Sequence, residues 1–121
     1  MCLSIKRSDF HIHTNISPCA SRDATVEVYL NACKKEKVRA IGFSNHLWDE
    51  NVFPVDKDNF YYSCNMDNVL SLKKQISSRM KGIKVYFGCE VDISYDGTIG
   101  LSKESAKKFD YVLIAMSHFH M

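Results

Sequence analysis

Residues 39–46 read Arg39-Ala40-Ile41-Gly42-Phe43-Ser44-Asn45-His46. The run is almost continuously apolar from Ala40 to Phe43 and closes on an imidazole. A strand without apolar–polar alternation is one covered on both faces, which is how the parallel strands of α/β proteins read. The same form recurs along the chain. A first strand is predicted at Asp9–His13, a second at Arg39–Ser44, a third at Ile83–Glu90 with a continuation to Ile93, and a fourth at Tyr111–Met116 leading into Ser117-His118. Every one of them delivers a His or Glu at or just beyond its C-terminal end.

Helical signals fill the gaps. Thr25 is a good N-cap with Glu27 in the first turn, and Val26, Tyr29, Leu30 and Cys33 recur on one face. A second helix is predicted from about Met66 to Lys81, with Val69, Leu72, Ile76 and Met80 on its apolar face and Gly82 as its cap. Asp96-Gly97 makes a tight turn before Thr98-Ile99, and a short helix over Ser102–Phe109 leads to the last strand. The order β-α-β-α-β-(hairpin)-α-β predicts an α/β fold with parallel strands and right-handed crossovers. Residues 47–65 form a long connection carrying Trp48, Phe53, Phe60, Tyr61 and Tyr62. Two readings stand for Trp48, Phe53, Tyr61 and Tyr62: a lid or pocket wall, or packing beneath the loop.

Composition bounds the function classes. A length of 121 residues makes one domain, residues 1–121, with 45% hydrophobic and 25% charged residues as in ordinary globular proteins. The net charge of +2 falls short of the basic signature of a dedicated nucleic-acid binder. No apolar run reaches the length of a membrane span, and Met1–Arg7 lacks the apolar core of a signal peptide, so a cytoplasmic location is expected. The five cysteines (Cys2, Cys19, Cys33, Cys64, Cys89) are odd in number and form no Cys-x-x-Cys pair; they read as reduced thiols.

The chemistry lies in the histidines. All five occur in three places: His11-Ile12-His13, His46, and His118-Phe119-His120. Residues i and i+2 of a strand point to one face, so each His-x-His pair presents two imidazoles side by side. Neutral imidazole is the commonest ligand for zinc and related metals, and Glu90 adds a hard oxygen donor. Any one histidine is more often a surface or satisfied core residue than a ligand. Here no histidine is left over, and the set predicts a metal site at one rim of a sheet or barrel.

Four segments together resemble the PHP (polymerase and histidinol phosphatase) domain: Asp9-Phe10-His11-Ile12-His13-Thr14, Gly42-Phe43-Ser44-Asn45-His46, Gly88-Cys89-Glu90-Val91-Asp92-Ile93, and Asp110-Tyr111-Val112-Leu113 running to His118. The resemblance implies the N-terminal half of a distorted (β/α)7 barrel, ending after its fourth strand, with the second half of the barrel as a missing partner. It further implies divalent transition metals (zinc, manganese or iron), up to three in an intact protein. His11 and His13 would bind the first, Glu90 would bridge to a second held by His118, and His46 would serve a third.

Family members often carry a His six residues beyond the opening pair, where this chain has Cys19. That residue is either a soft thiolate ligand or a small residue in a Pro-containing turn. The family commonly has Asp where this chain has Asn45, which removes charge available to a metal or to an imidazole. His120 reads as a further ligand, a phosphate contact or a catalytic proton donor, or as a rim histidine without a role. Asp9 and Asp92 read as partners of ligands, or as capping and surface residues.

The activity implied is phosphoester hydrolysis: metals hold the phosphate and lower the pKa of a water that attacks phosphorus. The leading expectation is a phosphatase of a small phosphomonoester resembling histidinol phosphate. The alternatives are a phosphodiesterase or exonuclease acting on nucleotides and, in a different class, a truncated non-catalytic metal-binding fragment. The 121-residue chain alone is expected to be nearly inactive.

Overall fold

The apolar run at residue 40 becomes the central strand of the computed structural model, which describes residues 8–53, 62–77 and 82–116. Strand β1 spans Ser8–Ile12, β2 Ala40–Leu47, β3 Lys84–Asp92 and β4 Tyr111–Ala115. All pair in parallel, in the order β1-β2-β3-β4. Strand β2 is buried from Ile41 to Leu47 and extends three residues past the predicted end at Ser44, so His46 sits inside the strand, not beyond it. Its register with β3 explains the extension, because pairing continues through His46↔Glu90 and Leu47↔Val91.

Helix α1 (Val26–Lys35) begins where the sequence places it, with the Thr25 hydroxyl accepting from the Val28 amide at 3.2 Å. It ends on Lys37 at φ 58, with the Val38 amide donating to the Cys33 carbonyl at 2.8 Å. That is a Schellman close made without glycine. Helix α2 covers Met66–Ser77. Helix α3 is only Lys103–Ala106, shorter than predicted. The chain leaves it early because Asp110 docks on β3: its amide donates to the Phe87 carbonyl and its carboxylate accepts the Phe87 amide, both at 2.7 Å. Phe109 stacks on the Phe87 ring at 5.0 Å in the same turn. The predicted hairpin is present, with an Ile93↔Ile99 bridge and Gly97 at φ 87.

Alternation divides the sheet into two faces. Ile41, Phe43, Val85, Phe87, Cys89 and Val91 form the core with Val26, Leu30 and Cys33 of α1 and Val69, Leu72 and Ile76 of α2. Each fully buried side chain of this size contributes about 1.5–3 kcal/mol. The other face carries Gly42, Ser44 and His46, then Tyr86, Gly88, Glu90 and Asp92, then Tyr111, Leu113 and Ala115. Its N-terminal half is filled by aromatic rings. The Tyr111 ring lies across Gly88 and Gly42, where any Cβ would collide with it, and its hydroxyl donates to the Phe10 carbonyl at 2.7 Å. Phe10 in turn touches Tyr86 and Tyr111. Burial pushes the Tyr111 phenol up to about 12, so it stays a neutral donor. The C-terminal half of the same face is left to His46, Glu90 and Asp92.

Parallel strands in sequence order, with helices in the crossovers, are the build of the first half of a (β/α) barrel. No helix among the described residues is long and apolar enough to cross a membrane.

Candidate metal centre

Strand β1 brings its histidines to the rim through an irregularity that the sequence pattern does not announce. Asp9 pairs with Ile41 but Ile12 pairs with Phe43, so β1 holds one extra residue against β2. This bulge lets consecutive residues serve the same face: Phe10 packs on Tyr86 and Tyr111, and His11 still reaches Glu90. The Asp9 carboxylate accepts the His11 amide at 2.9 Å, fixing the backbone at the bulge without contacting the ring. Beyond it the expected alternation holds, with Ile12 in the core and His13 beside His11 at a ring separation of 5.3 Å.

Three imidazoles converge on one carboxylate oxygen. Glu90 Oε2 lies 2.7 Å from His13 Nε2, 3.2 Å from His11 Nε2 and 3.5 Å from His46 Nδ1. The His13 and His46 rings meet edge to face at 4.3 Å. Burial works to raise the Glu90 pKa, but hydrogen bonds from His13 and His11 and the charge of His46 outweigh it, holding the carboxylate at about 2. Cys19, exposed in the loop after β1, places Sγ 3.1 Å from His13 Nδ1. Five of the sequence-predicted ligands (His11, His13, Cys19, His46 and Glu90) are therefore together. His118 and His120 lie outside the described residues.

The loop that carries Cys19 is fastened by Asn45, Thr14 and Ser17, a role the sequence pattern does not assign to them. Asn45 alternates away from His46, and its Oδ1 accepts from the Thr14 amide at 2.7 Å, the Ser17 hydroxyl at 2.8 Å and the Thr14 hydroxyl at 3.3 Å. Ser17 Oγ also accepts the His46 amide at 3.2 Å. Thr14, Ser17 and Asn45 are all buried. Residue 45 thus acts through its oxygen as an acceptor for the loop. Tyr29 of α1 adds a bond from its hydroxyl to the His13 carbonyl at 3.2 Å. A Ser two residues before Cys19 and an Asn before His46 were the only signals available, and neither identifies its partner.

Other candidates resolve differently. Asp92 is buried two residues beyond Glu90 on the same face. Trp48 is buried, donates to the Val52 carbonyl at 3.0 Å and packs with Cys64, so it belongs to the packing beneath its loop. Phe53 and Tyr62 are exposed, and Phe60 and Tyr61 lie outside the described residues.

These donors suit a divalent transition metal. One ligand atom each from His11, His13 and Glu90 lie within 4.8 Å of one another, and so do those from His13, Cys19 and His46. Nitrogen, oxygen and sulfur in such small groups match the preferences of zinc and its neighbours. A parallel sheet with candidate metal donors gathered at the C-terminal ends of its strands places them where (β/α) barrels carry their sites. The PHP domain model matches residues 9–121, and the chain belongs to this family of metal-dependent hydrolases. No curated protein matches the chain.

Proposed function

We propose that the protein is a cytoplasmic metal-dependent phosphoesterase that hydrolyses a small phosphomonoester of the histidinol phosphate kind. The observation that carries this reading is the meeting of His11, His13 and His46 on Glu90 Oε2. A divalent metal bound there would offset phosphate charge and lower the pKa of water towards neutrality. The chain's own residues supply the rest. Glu90, held ionised, offers negative charge to the cation. His11, the most exposed of the three imidazoles, faces solvent and incoming substrate, with a side chain 57% accessible. The aromatic floor of Phe10, Tyr86 and Tyr111 closes the face below the site, so substrate arrives from the rim. His118 is assigned as a further ligand and His120 as the donor of a proton to the leaving oxygen. The modest net charge of +2 favours a small substrate over a long nucleic acid.

The test is turnover of an aryl phosphate, of histidinol phosphate and of a bis-aryl phosphodiester, with manganese or zinc and with chelator. Metal-dependent release from the monoesters, reduced about 100-fold or more by Glu90→Gln, supports the reading. Preference for the diester would move the assignment to phosphodiester cleavage. Absence of metal-dependent turnover on all three would favour the non-catalytic metal-binding reading.

A further inference from the structure

We propose that the cavity between α1 and β1 is a binding site for a small amine carrying an apolar group, and that its occupant bears on the rim through Asp9 and Tyr29. The first half stands apart from the metal reading above; the second rests on it.

The cavity measures about 210 Å³, and its walls include Ile12, Tyr29, Cys33 and Val38 together with Asp9 and Glu36. The surface it offers is mostly apolar. A dry apolar cavity of about 150 Å³ holds benzene, so this one admits a single ring with a short side chain. Asp9 and Glu36 are exposed, and the lining contains no Lys, Arg or His. Among the described residues no cation pairs with either carboxylate. Burial first, and then the charge of Asp9, raise the Cys33 thiol above its ordinary range, so the field of Asp9 reaches the cavity wall. Apolar walls with two anions and no cation complement an ammonium group on an apolar body and repel an anion.

Two of the lining residues also hold the backbone of the first two rim histidines. The Asp9 carboxylate accepts the His11 amide at 2.9 Å, and the Tyr29 hydroxyl donates to the His13 carbonyl at 3.2 Å. An ammonium against Asp9 and a ring against Tyr29 restrict these two side chains, and with them His11 and His13. The histidines then have less freedom to lose when a metal binds. Amine and metal therefore favour each other, by the same factor in both directions.

The test titrates phenylethylamine, phenylethanol and phenylacetate into the whole chain, followed through its backbone amides by nuclear magnetic resonance. It uses the wild type, Glu36→Gln, and Asp9→Asn combined with Glu36→Gln, each confirmed folded by circular dichroism. The amine should shift the amides of Cys33, Glu36 and Val38 and bind about three- to tenfold tighter than the alcohol, with the acid weakest. Glu36→Gln should narrow that preference, and the double variant should abolish it while the alcohol binds as before. Manganese affinity, read by electron paramagnetic resonance, should rise about twofold or more at saturating amine in the wild type and stay unchanged in the double variant. Amine and alcohol binding alike, or amide shifts confined to other parts of the chain, overturn the amine site. Cavity amides that shift on dilution alone assign the cavity to a second copy of the chain and overturn it too. Manganese affinity indifferent to the amine overturns the coupling and leaves the amine site. Failure to bind manganese under any condition counts against the metal reading, removes the coupling with it, and leaves the amine site standing.

Discussion

Three imidazoles meet on Glu90, and the segment that brings His13 to it is held by Asn45, whose side chain lies on the other face of its strand. The single oxygen of Asn45 holds Thr14 and Ser17, and through them the segment bearing His13 and Cys19, against the strand bearing His46. Its amide Nδ2 is buried with no hydrogen-bond partner among the described residues, a cost the loop's ordering must offset. Asn45→Ala removes the acceptor and leaves buried donors on Thr14 and Ser17 unmade, so it should destabilise the fold by about 2–4 kcal/mol in urea titrations. Ser17→Ala removes one node only and should cost about 1–2 kcal/mol. Because Ser17 also accepts the His46 amide, Ser17→Ala should weaken divalent-metal binding at the rim as well. Unchanged metal affinity would show that the loop's hold does not reach the imidazoles.

At the scale of elements, much was legible because it is local. The apolar runs of β2 and β3, the Thr25 cap of α1 and the Asp96-Gly97 turn all depend on neighbours within a few residues. What could not be read depends on distant partners. The β1 bulge exists because Phe10 must meet Tyr86 and Tyr111 while His11 meets Glu90. Early termination of α3 comes from Asp110 finding β3. The candidate site was legible in part for the same reason: residue type and strand end pointed to His11, His13, His46 and Glu90, whereas Cys19 entered only through the family resemblance and its loop clamp left no mark in the spacing. Two substitutions probe the elements from opposite directions. Lys37→Gly relieves the positive φ that closes α1 and should stabilise by about 0.5–1 kcal/mol in thermal or urea melts. Gly88→Ala thrusts a methyl into the Tyr111 ring and should destabilise by about 1–3 kcal/mol. Tyr111→Ala in the same chain should remove most of that penalty; an undiminished penalty would mean the glycine is needed for its backbone and not for the ring.

The whole molecule is joined at two places by buried carboxylates. Glu90 binds β3 to β1 and β2 through the imidazoles. Asp49, just past β2, binds that strand end to α3: one oxygen accepts the Ser102 amide at 3.1 Å and hydroxyl at 2.7 Å, the other the Asn51 amide at 3.0 Å. Burial works to raise the Asp49 pKa, but bonds from Asn51, Ser105 and Ser102 outweigh it and hold the group at about 2, as the imidazoles hold Glu90 at about 2. The sign of the linkage follows. A carboxyl whose folded pKa lies below its unfolded value binds fewer protons when folded, so its stabilisation is complete above the unfolded pKa of about 4 and is lost as pH falls through about 2. For the metal-free chain in chelator, the contribution of these carboxylates should therefore hold steady from pH 7 to 5 and fall away between about 4.5 and 2. Asp49→Asn should cost about 1–3 kcal/mol at pH 6, because an amide cannot accept through both of its heavy atoms. It should also flatten the acid limb, so that variant and wild type converge near pH 2 in urea titrations. If the two curves instead run parallel from pH 6 to 2, Asp49 does not link protonation to folding, and the acid limb belongs to other carboxylates.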